Sequence, residues 1–285
     1  MSLSPNKTDR PAILAKLAAD LKRGDVSFPT GAQIALKLLR TLEDPTLHVD
    51  QAVRLIQAEP LIAAKAVATA NSVAYNPARR EVSDVRAAVA RLGFRTLRSL
   101  TAGVVAKQMA GRCEGRAAEM AEQLWEHTAN VGAIASVLAR RLTGQDAETA
   151  LFVGLVHEIG GFYLISRTKD FPDILDDDAQ DWPESGEAEL AMAVLSVIGA
   201  PNAVLEAIAA YWHGQPAMPP RTLGDTLLLA DELSPVRSPL APGRSKFRHG
   251  DAAGAVYFLE GEASLQAIID DSAEVVASLV SVLKA

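Results

Sequence analysis

The sequence contains little cysteine, few aromatic residues and no excess of positive charge. Its 285 residues include one cysteine, Cys113, so the chain can form neither an internal disulfide nor a zinc site made of several thiolates. This usage predicts a reducing compartment, which we take to be the cytoplasm. The 28 Lys and Arg residues against 35 Asp and Glu residues give a net charge of −7, which argues against a surface that neutralises many phosphates. We therefore predict no nucleic-acid partner.

Long uncharged apolar runs are also missing. No segment reaches the ~18 uncharged apolar residues that a membrane-spanning helix needs, and Met1–Arg10 lacks a basic stretch followed by an apolar block. We therefore predict no contact with a membrane. Aromatic residues make up 5% of the chain, whereas alanine and leucine are abundant throughout. This composition favours helices over strands, since strands prefer β-branched and aromatic side chains, and it predicts an all-α fold.

The spacing of apolar residues predicts how the helices are organised. Apolar positions three and four apart predict helices along most of the chain, and the polar, glycine-containing stretch Gly111–Gly115 is predicted to join two helical lobes. The predicted units are an N-terminal helix with its lead-in (1–27), an N-terminal lobe (28–112), a second lobe (113–235) and a C-terminal extension (236–285) with a terminal helix at about 265–283.

The boundaries of two helices are predicted more closely. Ser83 is expected to cap the helix that follows it, and Gly93 is expected to end that helix. Residues Ala147 to about Ser166 are expected to form one helix.

Four ionisable side chains occupy positions where the helical period demands apolar ones; they are His127, His157, Glu158 and Asp231. Burying an unpaired polar group costs roughly 2 to 7 kcal/mol, so we expect these side chains to partner one another. Imidazole and carboxylate are the usual protein ligands of zinc, iron and manganese, and the set therefore predicts a divalent-metal site. Hydrogen-bonded histidines in an ordinary core are the alternative interpretation. Because neighbouring helical residues point about 100° apart, His157 and Glu158 are expected to reach one ion only from the shoulder of their helix.

The segments that carry these residues resemble a known family. Trp125–Val131 and Ala150–Gly160 resemble the helical core of the HD superfamily of metal-dependent phosphohydrolases, whose pattern is a histidine, a His-Asp pair about one helix later and a distant aspartate. Five upstream blocks resemble the HDOD domain, the HD-related output domain of bacterial signalling proteins. These blocks are Phe28–Gly31, Leu42–Pro45, Ile56–Pro60, Ala70–Tyr75 and Ala87–Gly93.

The resemblance implies a two-lobed helical bundle whose second lobe has an HD-type helical core, with the metal ligands at the four ionisable positions. Two departures from the hydrolase pattern imply that catalysis is lost. The pair is His157-Glu158 rather than His-Asp, and Gly161 stands where many active members carry a lysine. In addition, no Lys or Arg lies between Asp146 and Ser166 to stabilise charge on a phosphate.

From this resemblance we predict a non-catalytic HDOD output module of bacterial signal transduction that binds a protein partner or a small, nucleotide-type ligand. No catalytic residue is assigned, and no cofactor is expected beyond a divalent iron, manganese or zinc ion. The protein is expected to act as a stand-alone component. The alternative is an enzyme, a metal-dependent phosphohydrolase of the HD type that acts on a nucleotide or a cyclic dinucleotide through the same four ligands.

A second set of polar residues predicts a ligand groove between the lobes. Asn71, Ser72, Arg95 and His213 are its candidate residues, since Asn71-Ser72 belongs to a family-like block and arginine suits an anionic ligand. The alternative interpretation gives each residue a local role. Asn71 and Ser72 would then cap a helix and hold a turn, Arg95 would lie on a solvated face, and His213 would end its helix.

Overall fold

A computed structural model shows the fold of most of the chain. The residues that it describes are 10–23, 30–110, 113–175, 186–213, 217, 219–240, 270 and 273–284. Within these ranges the regular secondary structure is helical and no strand occurs. The prediction of an all-α fold is therefore confirmed.

The described helices are numbered here in chain order. They are α1 (Arg10–Arg23), α2 (Thr30–Thr41), α3 (Val49–Gln57), α4 (Pro60–Asn71), α5 (Val85–Met109), α6 (Gly115–Leu138), α7 (Ala147–Val156), α8 (Ile159–Ile165), α9 (Glu187–Val197), α10 (Asn202–His213), α11 (Leu223–Glu232) and α12 (Ala273–Lys284). A π-helical turn at Ala139–Thr143 follows α6, and a 3-10 turn at Pro172–Leu175 follows α8.

The apolar core surrounds α6 and α7. Helix α6 packs against α7, α11 and α12, and α7 also packs against α5. The two central helices approach each other through glycines, since a Cβ atom added to Gly154 would lie 2.4 Å from the Cα atom of Gly132. Buried apolar residues from both predicted lobes belong to one cluster that runs from Leu14 to Leu283. The core is therefore continuous across residues 112 and 113, and the division into lobes stays a prediction.

The N-cap of helix α5 lies one residue later than predicted. The Ala87 N–H donates to the Asp84 carboxylate at 2.9 Å, so Asp84 caps the helix and the prediction of Ser83 is wrong. Serine and aspartate are equally good N-caps, and the sequence alone does not separate them. Gly93 interrupts α5 with φ 72° and ψ 169°, a left-handed backbone that favours glycine. The predicted end of the first helical segment at Gly93 is confirmed.

The single helix predicted from Ala147 to Ser166 is wrong. The chain breaks between α7 and α8 at His157 and Glu158, and Glu158 leaves the helical region with φ −104° and ψ 23°. Among the described residues, the stretch Ala147–Ile165 is long and apolar enough to cross a membrane by length and composition alone, but 89% of it is buried inside the protein. Packing against the surrounding helices accounts for its apolar character.

The terminal helix lies against the core. Helix α12 packs on α6 and α4 and buries Leu279 and Leu283. It corresponds to the helix predicted at about 265–283; of the earlier part of that prediction, residues 265–269 and 271–272 lie outside the described ranges.

Candidate metal centre

The four ionisable residues predicted to meet come from three places in the fold. His127 lies within α6, His157 and Glu158 form the junction between α7 and α8, and Asp231 lies in the last turn of α11. The first three are buried, with exposed fractions of 1%, 0% and 2%. The Asp231 side chain is 19% exposed, so it forms the solvent-facing edge of the cluster.

The donor atoms of His127, His157 and Glu158 lie close together, and Asp231 lies beside His127. The Nε2 atoms of His127 and His157 are 3.2 Å apart, and Asp231 Oδ1 lies 3.4 Å from His127 Nε2. One ligand atom each from His127, His157 and Glu158 lie within 4.8 Å of one another. The structure therefore brings together the residues that the sequence singled out, and their role as metal ligands stays a prediction.

The break between α7 and α8 explains how two adjacent residues serve one site. Within a continuous helix His157 and Glu158 would point about 100° apart, whereas the change of backbone direction at Glu158 turns both side chains inward. The two glycines that follow permit close packing there. A Cβ atom on Gly160 would lie 3.0 Å from the backbone nitrogen of Ala191, and one on Gly161 would lie 2.3 Å from Leu240 Cδ1. Leu240 thus fills the space beside Gly161, the position where the resemblance to active hydrolases leads one to expect a lysine.

Backbone carbonyls fix the tautomer of each histidine. Nδ1 of His127 lies 2.8 Å from the carbonyl oxygen of Val236, and Nδ1 of His157 lies 2.8 Å from that of Gly154. A carbonyl oxygen only accepts hydrogen bonds, so both Nδ1 atoms hold a proton. When both rings are neutral, each Nε2 atom presents a lone pair to the other, and the two acceptors need a cation or an additional proton between them.

The surroundings favour the uncharged form of His157. Burial and the neighbouring His127 lower the pKa of His157 to about 4, so its ring is neutral at pH 7. A single added proton on the cluster would satisfy the two Nε2 atoms but would leave another atom unsatisfied. Glu158 Oε2 is buried and has no hydrogen-bond partner among the described residues. Leaving such an oxygen unpaired in a dry site is unfavourable.

A divalent metal ion fits this donor set. Two ligands bound at ~2.1 Å to a tetrahedral or octahedral ion are about 3.0 to 3.4 Å apart, which matches the separation of the two Nε2 atoms. Imidazole nitrogen and carboxylate oxygen suit zinc, iron and manganese alike. An ion among them would also satisfy the orphaned oxygen of Glu158.

Sequence reasoning missed one residue of this centre. The Tyr211 hydroxyl in α10 donates to Asp231 Oδ2 at 3.1 Å, and the Tyr211 ring meets the His157 ring edge-on with centroids 5.1 Å apart. A tyrosine is an ordinary residue on an apolar helix face, so it does not interrupt the apolar pattern. The partner of its hydroxyl lies 20 residues away in the sequence. Periodicity therefore gave no signal for it.

The residues of the predicted ligand groove have local partners in the structure. The Asn71 amide donates to the Val82 carbonyl at 2.7 Å and accepts from the Val82 N–H at 2.9 Å. Ser72 donates to the carbonyl of Thr69 at 2.7 Å. These contacts agree with the alternative interpretation of a helix cap and a held turn.

The other two groove residues belong to α5 and α10. Arg95 pairs with Asp146 at 2.9 Å, where Asp146 caps α7. His213 is the last residue of α10, and its side chain lies outside the described part of the chain. A groove lined by all four residues stays a prediction.

Comparison with known proteins shows which family this chain matches and which solved structures share its fold. A family profile described as "HDOD domain" matches residues 28–213. Among curated proteins, none matches the chain.

Three crystal structures share the overall fold. The first is a "Putative metal-dependent phosphohydrolase" from Shewanella amazonensis SB2B (TM-score 0.66, 19% identity, 95% of this chain and 99% of that chain covered). The second is an "HDOD domain protein with unknown function" from Geobacter sulfurreducens (0.60, 20%, 95% and 98%). The third is a "Putative signal transduction protein" from Marinobacter aquaeolei VT8 (0.56, 15%, 98% and 67%). At these identities the likeness shows the fold alone.

Proposed function

Because this chain belongs to the HDOD family, we propose that it is a non-catalytic output module of bacterial signal transduction that binds a protein partner and holds a divalent metal ion. The ligands of the ion are His127, His157, Glu158 and Asp231. The ion is a structural element of the fold, and the signal is passed on by binding rather than by turnover.

The burial of the ligand set is the observation that carries this proposal. His127, His157 and Glu158 are at most 2% exposed, and only the edge of Asp231 reaches solvent. A hydrolase must bring the phosphorus of its substrate next to the metal. Leu240 packs against Gly161, close to the His157-Glu158 pair, and occupies the space beside it.

The two helices that meet at His157 and Glu158 lack the positive charge that phosphoester cleavage needs. Positive groups stabilise the charge that develops on the phosphate oxygens, yet α7 and α8 carry no Lys or Arg. When bound, the metal would supply Lewis acidity and an activated water. Without a cationic partner on these helices, its main effect is on stability.

A bound ion joins separate parts of the chain. The ligands come from α6, the α7–α8 junction and α11, so an ion would tie these elements together. Binding to the folded state alone increases the free energy of unfolding. The proposed role is thus to keep the second half of the protein in the shape that its partner recognises. We propose a cytoplasmic location, in keeping with the lone cysteine.

Metal analysis combined with a turnover assay tests the proposal. The full chain is purified without chelator and its zinc, iron and manganese are measured by mass spectrometry. We expect about one equivalent of metal per chain and none in the His127→Ala/His157→Ala double variant. Bis(p-nitrophenyl) phosphate and cyclic dinucleotides, with manganese or iron added, should be hydrolysed no faster than by that double variant. Absence of metal from the wild-type protein would overturn the proposed site.

The second candidate function is a metal-dependent phosphohydrolase that acts on a nucleotide or a cyclic dinucleotide. Asp231 favours it, since its 19% exposed side chain gives the four-donor set one edge open to solvent. Turnover that the single substitution His157→Ala abolishes would establish this candidate and would exclude the non-catalytic role. Binding of a nucleotide without turnover would instead identify the small-ligand form of the signalling module.

A further inference from the structure

We infer that Tyr211 is a positioning residue of the metal centre, whose hydroxyl fixes Asp231 so that one carboxylate oxygen faces the histidines. The inference rests on the metal site in the proposed function and assigns a role to a residue outside the ligand set. Tyr211 lies in α10, and it is proposed to fix the orientation of Asp231, a ligand that lies in α11.

The two oxygens of Asp231 have different partners. Oδ2 accepts a hydrogen bond from the Tyr211 hydroxyl at 3.1 Å, and Oδ1 lies 3.4 Å from His127 Nε2. Because the hydroxyl occupies Oδ2, Asp231 presents Oδ1 alone to the centre. Asp231 would therefore hold an ion through Oδ1, in an orientation that depends on Tyr211.

Packing holds Tyr211 itself in place. The residue is 3% exposed, and its ring makes edge contacts with His157 and with Trp212, with centroids 5.1 and 5.2 Å away. Asp231 is less tightly packed than Tyr211. Its side chain is 19% exposed, and the residue lies in the final turn of α11. A rigid donor thus restrains a carboxylate that could otherwise turn toward water.

Loss of this restraint should weaken metal binding. Partners that orient metal ligands typically change metal affinity by roughly 10- to 100-fold when they are removed. Tyr211→Phe deletes the hydroxyl and keeps the ring that packs on His157. Any change in affinity then reports the loss of the hydroxyl rather than a change in the shape of the core.

The chain offers a matched control in Tyr75. Its hydroxyl also donates to a carboxylate, that of Glu148, at 2.9 and 3.0 Å. Glu148 lies in the first turn of α7, whereas His157 lies at the other end of that helix. Tyr75→Phe therefore removes a bond of the same type away from the cluster.

The experiment measures cobalt binding to the full chain. Dissociation constants for Co²⁺ come from chelator competition, and the d–d absorption bands of the bound ion report its ligands. We expect Tyr211→Phe to weaken binding roughly 10- to 100-fold and to shift the bands in the direction seen with Asp231→Asn. Tyr75→Phe should leave both readouts unchanged. Circular dichroism checks that each variant keeps its helical content.

A double variant tests whether Tyr211 acts through Asp231. In the Asp231→Ala background, which offers the Tyr211 hydroxyl no side-chain acceptor, adding Tyr211→Phe should weaken binding by less than about threefold. Full additivity of the two losses would overturn the inference, and so would unchanged affinity and spectrum in Tyr211→Phe. If wild-type protein binds no Co²⁺, Zn²⁺, Mn²⁺ or Fe²⁺ at all, the metal site of the proposed function fails and this inference fails with it. Normal wild-type binding that Tyr211→Phe leaves intact overturns the inference alone.

Discussion

Lys65 of α4 holds the last turn of the terminal helix through Leu283. Its buried ammonium donates to the carbonyl oxygen of Leu283 at 2.9 Å and to that of Val282 at 3.1 Å. The last carbonyls of a helix lack intrahelical partners and carry partial negative charge, so a lysine is well suited to them. Lys107 of α5 adds a longer bond to the Lys284 carbonyl at 3.4 Å. The C-terminal end of α12 is therefore fixed by cations from two other helices.

The burial of Lys65 predicts a pH dependence of stability. Burial and the nearby Lys107 ammonium lower the pKa of Lys65 to about 8, from an ordinary value of 10.5. Between these two values the unfolded chain binds more protons at this position than the folded chain does. The contribution of Lys65 to the free energy of unfolding therefore rises as the pH increases from 8 to 10.5. Below pH 8 both states are charged and the contribution is constant.

Comparison with Lys65→Met isolates this contribution from those of other groups. Urea unfolding at pH 7.5, 9 and 10 should show the wild-type protein gaining on the order of 1 kcal/mol relative to Lys65→Met across this range. Lys37→Met, which removes an exposed ammonium from α2, serves as the control and should follow the wild-type profile. Parallel profiles for wild type and Lys65→Met would show that Lys65 keeps its ordinary titration when folded.

Substitution of Gly154 should be strongly destabilising. A Cβ atom there would lie 2.4 Å from the Cα and 2.7 Å from the nitrogen of Gly132, and backbone atoms cannot move aside as a side-chain tip can. We expect Gly154→Ala to lower the free energy of unfolding by about 3 kcal/mol. Chemical denaturation monitored by circular dichroism measures the change.

Gly103 in α5 is the matched helical control. An added Cβ atom would approach only side chains there, Trp125 at 3.0 Å and Leu155 at 3.6 Å. The better helix propensity of alanine offsets part of the strain, so Gly103→Ala should change the free energy of unfolding by less than about 1 kcal/mol. Equal effects at the two sites would contradict the close approach of α6 and α7.

Asn71 should behave as a structural residue. Its amide makes two hydrogen bonds to the backbone of Val82, which close the loop between α4 and α5. Asn71→Ala removes both partners, and we expect a loss of about 1 to 3 kcal/mol in the free energy of unfolding, with faster amide exchange at Val82. Asn76→Ala provides the comparison in the same loop, because Asn76 accepts one bond from the Arg80 N–H at an exposed position. An Asn71→Ala protein as stable as the wild type would contradict this structural role.

The sequence predicted the candidate site best at positions where the helical period requires an apolar residue and a polar one is present. His127 and Asp231 stand out because an apolar stripe passes through both positions, and that conflict is visible without coordinates. The break at His157 and Glu158 was not visible. No proline precedes it, and Gly160 and Gly161 come after it, where their close packing against Ala191 and Leu240 depends on tertiary contacts.

The roles of other residues depend on partners that are distant in the sequence. The donor to Asp231 is Tyr211, and a tyrosine on an apolar face carries no mark of its partner. Lys65 likewise stood within an apolar helix, and its acceptors lie more than 200 residues away in α12. Local pattern identifies which groups need partners, whereas the fold decides which partners they find.

Metal binding should be linked to global stability through the histidine pair. An ion that binds the folded state alone adds about 2.7 kcal/mol to the free energy of unfolding when its free concentration is 100 times the dissociation constant. We therefore expect chelator-treated protein to unfold at a lower temperature than protein with Zn²⁺ or Mn²⁺ added back, as calorimetry will measure. His127→Ala/His157→Ala should remove this difference, since the variant lacks both convergent Nε2 donors. His48→Ala removes an imidazole at the start of α3, far along the chain from the cluster, and should retain the full difference. A gain from metal that persists in the double variant would place the ion somewhere other than between the two facing rings.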